Sequence, residues 1–168
     1  ASAERVARFR ALAHPGLRLF NTYGPTEATV VATSAVLAGP DALPASDQVS
    51  IGAPLPGVGT LIVDERGEAV RAGAIGELAL LGPSLARGYL QRSELQARRF
   101  VALPEHGRAY RTGDLVRRDA HGQLAFVGRV DDGLRRSHRK PQEKIVVCGE
   151  SFDRLCDPVL IGLGEREQ

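Results

Sequence analysis

Residues 21–27 read Asn21-Thr22-Tyr23-Gly24-Pro25-Thr26-Glu27 (NTYGPTE) and lie between two apolar runs, residues 17–20 and 30–36. The pattern predicts a strand ending at Asn21 and a turn forced by Gly24-Pro25, because proline fixes φ and glycine tolerates the reversal. Tyr23, just before the turn, is placed to offer a ring face to a planar ligand. Thr26 is a good cap for a helix or turn, and its hydroxyl is equally able to donate to a phosphate oxygen. Glu27 supplies a hard oxygen ligand of the kind Mg2+ prefers. A base, a phosphate and a metal could thus meet at the carboxyl end of a strand, where open α/β sheets bind ligands. A plain strand and turn capped by Thr26 accounts for the same residues.

Upstream, Val6, Phe9 and Leu12 recur at helical spacing and predict a helix over 3–13, ended by Pro15-Gly16. LRLF (17–20) predicts a buried strand feeding the motif. Downstream, ATVVATSAVL (28–37) is rich in β-branched residues and predicts a strand, with a helix as the alternative. Residues 39–59, rich in proline and glycine, predict a loop. TLIVD (60–64) and GELALLG (76–82) predict strands, and SELQARRF (93–100) a helix with Ser93 able to cap it. Residues 109–132 predict two or three short strands, with DAHG (119–122) as a hairpin turn. A short α/β piece therefore precedes a β-rich piece, which makes the chain α+β.

The 168 residues suffice for one ordinary domain with a core. A net charge of +2 gives no strong pull toward nucleic acid or a membrane surface. No apolar run approaches the ~20 residues a membrane helix needs, and no signal-peptide pattern is present, so a cytoplasmic setting is expected. The chain has no methionine, which predicts a fragment or a processed chain. Every basic residue before position 134 is arginine, and the only lysines are Lys140 and Lys144. Cys148 and Cys156 have no partners at zinc spacing and are read as structural or incidental.

Further motifs follow NTYGPTE: IGAPLPG (51–57), GELALLGPSLARGYL (76–90), YRTGDLVRR (110–118) and GQLAFVGRVDD (122–132). In this order and spacing they resemble the core motifs of the adenylation domains of nonribosomal peptide synthetases, within the adenylate-forming superfamily that also holds acyl-CoA synthetases and luciferases. The resemblance runs from residue 21 to residue 132. It implies a fragment of an adenylate-forming core: the end of a large α/β subdomain over 1–48, a β-rich, distorted barrel-like subdomain over 49–132, and a divergent tail over 133–168. It also implies an activity, the ATP-dependent joining of an amino acid to AMP. Transfer to phosphopantetheine on a carrier protein would follow, beside condensation domains, in the biosynthesis of a secondary metabolite.

Carried over by position, the resemblance puts Asn21, Tyr23, Gly24, Thr26, Asp114, Phe126 and Arg129 at the nucleotide. Tyr23 would stack on adenine, Phe126 would line its pocket, and Thr26 would bond the α-phosphate. Asp114 would accept from both ribose hydroxyls, a task suited to the two oxygens of a carboxylate, with Arg129 beside it. Thr26 and Glu27 would be the catalytic pair, and Glu27 would help hold Mg2+. Thr22, Val30 and Val31 would line an amino-acid side-chain pocket and hint at an uncharged substrate. Asp131 would be the hinge of a lid.

The resemblance stops on both sides. The family's phosphate loop would lie N-terminal to NTYGPTE, and a lid bearing a lysine would follow GRVDD; neither is recognised, and neither Lys140 nor Lys144 matches that lysine. The chain by itself is expected to be inactive. Two other readings stay open, a fragment of an acyl- or aryl-CoA ligase and a non-catalytic remnant. Residues 133–144 are read as a basic loop and KIVVCG (144–149) as able to form a strand. A face of residues 1–38 that a larger body would cover is expected to be exposed.

Overall fold

The computed structural model describes residues 2–14 and 16–133 and the backbone of a strand at 143–148. Helix α1 (Ala3–Leu12) precedes strands β1 (Arg18–Tyr23), β2 (Thr33–Ala38), β3 (Ser50–Pro54), β4 (Gly59–Val63) and β5 (Ile75–Leu81). Helix α2 (Ser93–Arg99) runs into β6 (Phe100–Leu103), the long β7 (Gly107–Arg118), β8 (Leu124–Arg129) and β9 (Glu143–Cys148). The nine strands among the described residues follow the order β4-β5-β7-β8-β3-β2-β1-β9, with β6 pairing β7 beside that path. All these pairings are antiparallel. The fold is α+β, dominated by one large antiparallel sheet. No helix among the described residues is long and apolar enough to cross a membrane.

Alternating strands supply the core. Tyr23, Ala28, Ala32, Ile51, Ile62, Leu78, Leu80, Val116 and Leu124 form its main cluster, so the turn after β1 is packed against β4, β5, β7 and β8. A second cluster joins α1 to β1 and β2 through Val6, Leu19, Ala35, Leu37 and Ala38. Arg10 pins the helix there, donating to the Leu37 and Leu43 carbonyls at 2.5 and 2.7 Å.

Several local expectations are corrected. β1 continues through Tyr23 rather than stopping at Asn21, because it is paired on both sides, Tyr23 facing Thr33 and Glu143. The strand expected over 28–37 begins only at Thr33; residues 26–28 form a 3-10 turn, and Thr29 and Val30 take left-handed backbone angles. Thr26 does not cap that turn, since Pro25 occupies the cap position. Ser93 is the first residue of α2 and not its cap; Arg92 is, without a side-chain bond. The loop over 39–59 contains β3, and β6 appears where the helix was expected to end. The open parallel sheet expected behind this turn is absent, because both neighbours of β1 are antiparallel.

The expected hairpin at 119–122 is present, with Asp119 and Gln123 closing it at 2.9 Å. The strand foreseen in KIVVCG is β9, which pairs with β1 along all six of its residues. With α1 on one face and β9 on the edge, Leu12 and Val30 are the large apolar side chains left exposed among the described residues of 1–38. The exposed face expected there is therefore largely covered. Residues 134–142 of the basic loop, and Cys156, lie outside the described residues.

Candidate functional site

β1 carries Asn21, Thr22 and Tyr23 into the sheet interior, each no more than 8% exposed. Successive strand residues face opposite sides, so Asn21 and Tyr23 share a face and Thr22 has the other. The turn that follows doubles back tightly, and the Ala32 amide donates to the Tyr23 carbonyl at 2.8 Å. A Cβ on Gly24 would lie 2.6 Å from the Ala32 nitrogen and 2.8 Å from the Val30 oxygen, so only glycine fits. Thr29 and Val30 sit at φ 59° and 70°, a costly region for β-branched residues that a surrounding structure must impose. That structure is the segment before Tyr89: the Thr29 hydroxyl donates to the Ser84 carbonyl at 2.6 Å, and the Ala86 amide donates to the Glu27 carbonyl at 2.7 Å.

Asp114 lies on β7 and is 6% exposed. The backbone that aims it is set by Gly113, at φ 77°, where a Cβ would strike the Arg99 and Arg129 guanidiniums. Glu77 fixes that position, accepting from the Gly113 amide at 2.8 Å and pairing with Arg111. Asp114 and Arg129 face each other across β7 and β8. Tyr23 donates its hydroxyl to Asp114 Oδ2 at 2.6 Å, and Arg129 donates to Oδ1 at 2.6 Å. Arg129 also donates to Asp131 at 3.2 Å. Burial pushes the Asp114 carboxyl up, against the Tyr23 hydrogen bond and the Arg129 charge. Burial, then the Asp114 charge, holds the Tyr23 hydroxyl far above the usual tyrosine range, and Tyr110 adds to it.

Glu27 meets the same region from the turn. Tyr89 donates its hydroxyl to Glu27 Oε1 at 2.5 Å, and the Tyr89 and Tyr110 hydroxyls lie 3.3 Å apart. Each phenol has one proton; that of Tyr89 goes to Glu27, so Tyr110 is the donor between the two. The Phe100 ring packs on both, 5.5 Å from Tyr89 and 5.0 Å from Tyr110. The chain has three tyrosines, and all three converge on the two carboxylates.

A profile of the family described as AMP-binding enzyme matches residues 1–90. The chain belongs to the AMP-binding enzyme family. It is 48% identical over 121 residues to novobiocin biosynthesis protein H of Streptomyces niveus, covering 70% of this chain and 19% of that protein. It is 39% identical over 150 residues to surfactin synthase subunit 2 of Bacillus subtilis, covering 86% of this chain and 4% of that one. Among solved structures it resembles holo-PA1221, an NRPS protein containing adenylation and PCP domains bound to a vinylsulfonamide inhibitor. The TM-score there is 0.66 at 37% identity, covering 76% of this chain and 22% of that one. The chain thus spans under a quarter of each of these three relatives.

Within this AMP-binding enzyme fold, Tyr23, Asp114, Arg129 and Asp131 are joined bond to bond. Phe126 packs on the cluster that holds Tyr23. Asn21 is fully buried: its amide donates to the Ser50 carbonyl at 2.8 Å, while Oδ1 has no partner. Thr26 and Val30 are exposed on the turn, and Val31 is half-buried. Sequence reasoning missed Tyr89, Tyr110 and Arg99. For the two tyrosines a signal existed, since both lie inside quoted motifs, LARGYL and YRTGD. Arg99 gave none; it lies 3.8 Å from both Glu77 and Asp131. A cavity of about 940 Å³ opens elsewhere, between α1 and the β3 and β8 strands, and touches none of these residues.

Proposed function

We propose that this chain is the nucleotide-gripping part of an adenylation domain, which activates an amino acid with ATP as aminoacyl-AMP in nonribosomal peptide biosynthesis. The observation that carries this reading is the buried Asp114, held between Tyr23 and Arg129 at the mouth of the turn after β1. An ionised carboxylate offers about four lone-pair sites. Tyr23 and Arg129 take two, which leaves capacity for a ribose diol. The unpartnered Asn21 Oδ1 suits the exocyclic amine of adenine, since a buried acceptor without a donor is costly. The Tyr23 ring is 1% exposed, so a base reaches its face only if the residues over it shift. Phe126, half-buried, offers the more open ring. Thr26, exposed on the turn, is the candidate for the α-phosphate, and Asp131, tied to Arg129, is the candidate hinge.

No group of three His, Cys, Asp or Glu side chains converges among the described residues. Mg2+ is commonly held by one or two carboxylates plus substrate phosphates, so Glu27 fits a metal that arrives with the nucleotide. Such a metal would neutralise phosphate charge. Thr22, Val30 and Val31 are proposed to border the amino-acid side chain, and the phosphopantetheine thiol would come from a partner carrier protein, whose setting we take to be the cytoplasm.

AMP titration watched through tyrosine and phenylalanine NMR signals tests the reading. Shifts at Tyr23 and Phe126 that weaken in Asp114→Asn are expected. No shift at millimolar AMP would leave a non-catalytic remnant. Because the chain spans a small share of its relatives, we expect no amino-acid-dependent ATP–pyrophosphate exchange from it alone.

A further inference from the structure

Glu27 lies on a turn with two left-handed residues behind it, where a carboxylate has no regular element to hold it. What fixes it comes from distant chain. Tyr89, 62 positions away, donates to Oε1 at 2.5 Å, and Tyr110 donates in turn to Tyr89. The ring of Tyr89 is held in place by Phe100, and Phe100 carries the Arg108 guanidinium 4.7 Å above it. The backbone before Tyr89 is anchored as well: the Tyr89 amide donates to Gln96 of α2 at 2.7 Å. At Gly88 a Cβ would lie 1.9 Å from the same Gln96 oxygen, so glycine is required for that contact. A hydroxyl aimed this firmly at a single carboxylate oxygen does what outer partners do for metal ligands: it orients the ligand before the metal arrives.

We propose that Tyr89 is a positioning residue for Glu27, its hydroxyl fixing Oε1 and leaving Oε2 as the oxygen that meets a divalent cation carried in by a nucleotide. The inference rests on the reading of Glu27 given above. Tyr110 supports Tyr89 from behind, so Tyr110, two residues before the TGD segment, serves the metal side of the site while Asp114 within that segment serves the ribose side.

The test uses the full chain with ring-labelled tyrosine, excess ATP and increasing Mn2+, whose paramagnetism broadens nearby signals even at weak occupancy. Tyr89→Phe removes the hydroxyl and keeps the ring on Phe100. It is expected to need several-fold more Mn2+ to broaden Tyr110 equally, with the AMP-induced shift at Tyr23 unchanged and the chain still folded by circular dichroism. Glu27→Gln is expected to abolish the broadening. If Tyr89→Phe matches the unaltered chain while Glu27→Gln does not, positioning by Tyr89 is overturned and the role of Glu27 survives. If Glu27→Gln also broadens normally, or the unaltered chain does not broaden at all, the metal role of Glu27 fails and the inference with it. If Tyr89→Phe loses the AMP shift too, Tyr89 is merely structural and the proposal is overturned.

Discussion

The Tyr23 hydroxyl lies 2.6 Å from Asp114 Oδ2, joining two buried residues 91 positions apart in the chain. The bond ties the turn after β1 to the β7–β8 hairpin, and neither piece alone would place both groups. Tyr23→Phe keeps the ring in the core and leaves Asp114 with one donor fewer. Loss of a bond to a buried charged acceptor costs about 1–3 kcal/mol. The expected result in urea is a lower midpoint with an unchanged slope, together with weaker AMP binding. An unchanged midpoint would mean that water replaces the phenol at no cost.

Alkaline pH should act through the tyrosines. Burial raises the hydroxyls of Tyr23 and Tyr110 most, and burial followed by Glu27 raises Tyr89. A group whose folded value lies above its unfolded one stabilises the fold below the unfolded value, near pH 10 for tyrosine. That contribution is lost as pH rises beyond about 10. The chain has no tryptophan, so absorbance at 295 nm reads tyrosinate cleanly. Little ionisation is expected through pH 10 while circular dichroism stays folded, with Tyr89, the most exposed of the three, leading and the rest ionising on unfolding. Three independent titrations near 10 in a folded chain would contradict the burial.

Much of this site was legible because its residues sit in short motifs whose chemistry is local. Gly24-Pro25 announces a turn, and Asp114 is marked by the YRTGD motif, whose Gly113 takes a left-handed angle inside the buried strand. What the sequence hid is pairing. A β-branched run over 28–32 reads as strand by propensity, yet Ala28 and Ala32 pack into the core while the segment before Tyr89 holds Thr29 and Val30 at left-handed angles. Tyr89 carried no role in the sequence because its partner, Glu27, lies on another segment altogether. β1 looked finished at Asn21 because its second neighbour, β9, follows more than a hundred residues later.

Gly24 offers a sharper steric test. In Gly24→Ala the new methyl meets backbone atoms of residues 30 and 32, which cannot swing aside as a side chain would. Overpacking of this kind costs about 1–3 kcal/mol. Gly57→Ala is the control: its φ is 82°, but nothing lies within 4 Å of the added atom, so backbone preference alone applies, about 1–2 kcal/mol. Thermal melts should rank Gly24→Ala below Gly57→Ala, and only the former should disturb the Tyr23 and Asp114 signals. Equal melting with undisturbed signals would show that the turn relaxes to admit a methyl group.

The outer edge of β1 carries the last prediction. β9 covers it with pairs from Arg18 opposite Cys148 to Tyr23 opposite Glu143, so the strand that bears Asn21 and Tyr23 has no open edge. Neighbouring residues of an edge strand point their amides alternately toward and away from the partner. Of Ile145 and Val146, therefore, one donates toward β1. Proline at both positions removes that donor whichever it is. Loss of about 1 kcal/mol should speed hydrogen exchange at β1 amides roughly fivefold. An uncovered edge also templates pairing between chains, so light scattering should rise with concentration. The consequence reaches the site, because Tyr23 is the β1 residue at the end of that ladder and the donor to Asp114. Faster exchange should therefore be accompanied by a shifted Tyr23 signal, whereas unchanged exchange would mean that β1 does not depend on β9 for its edge.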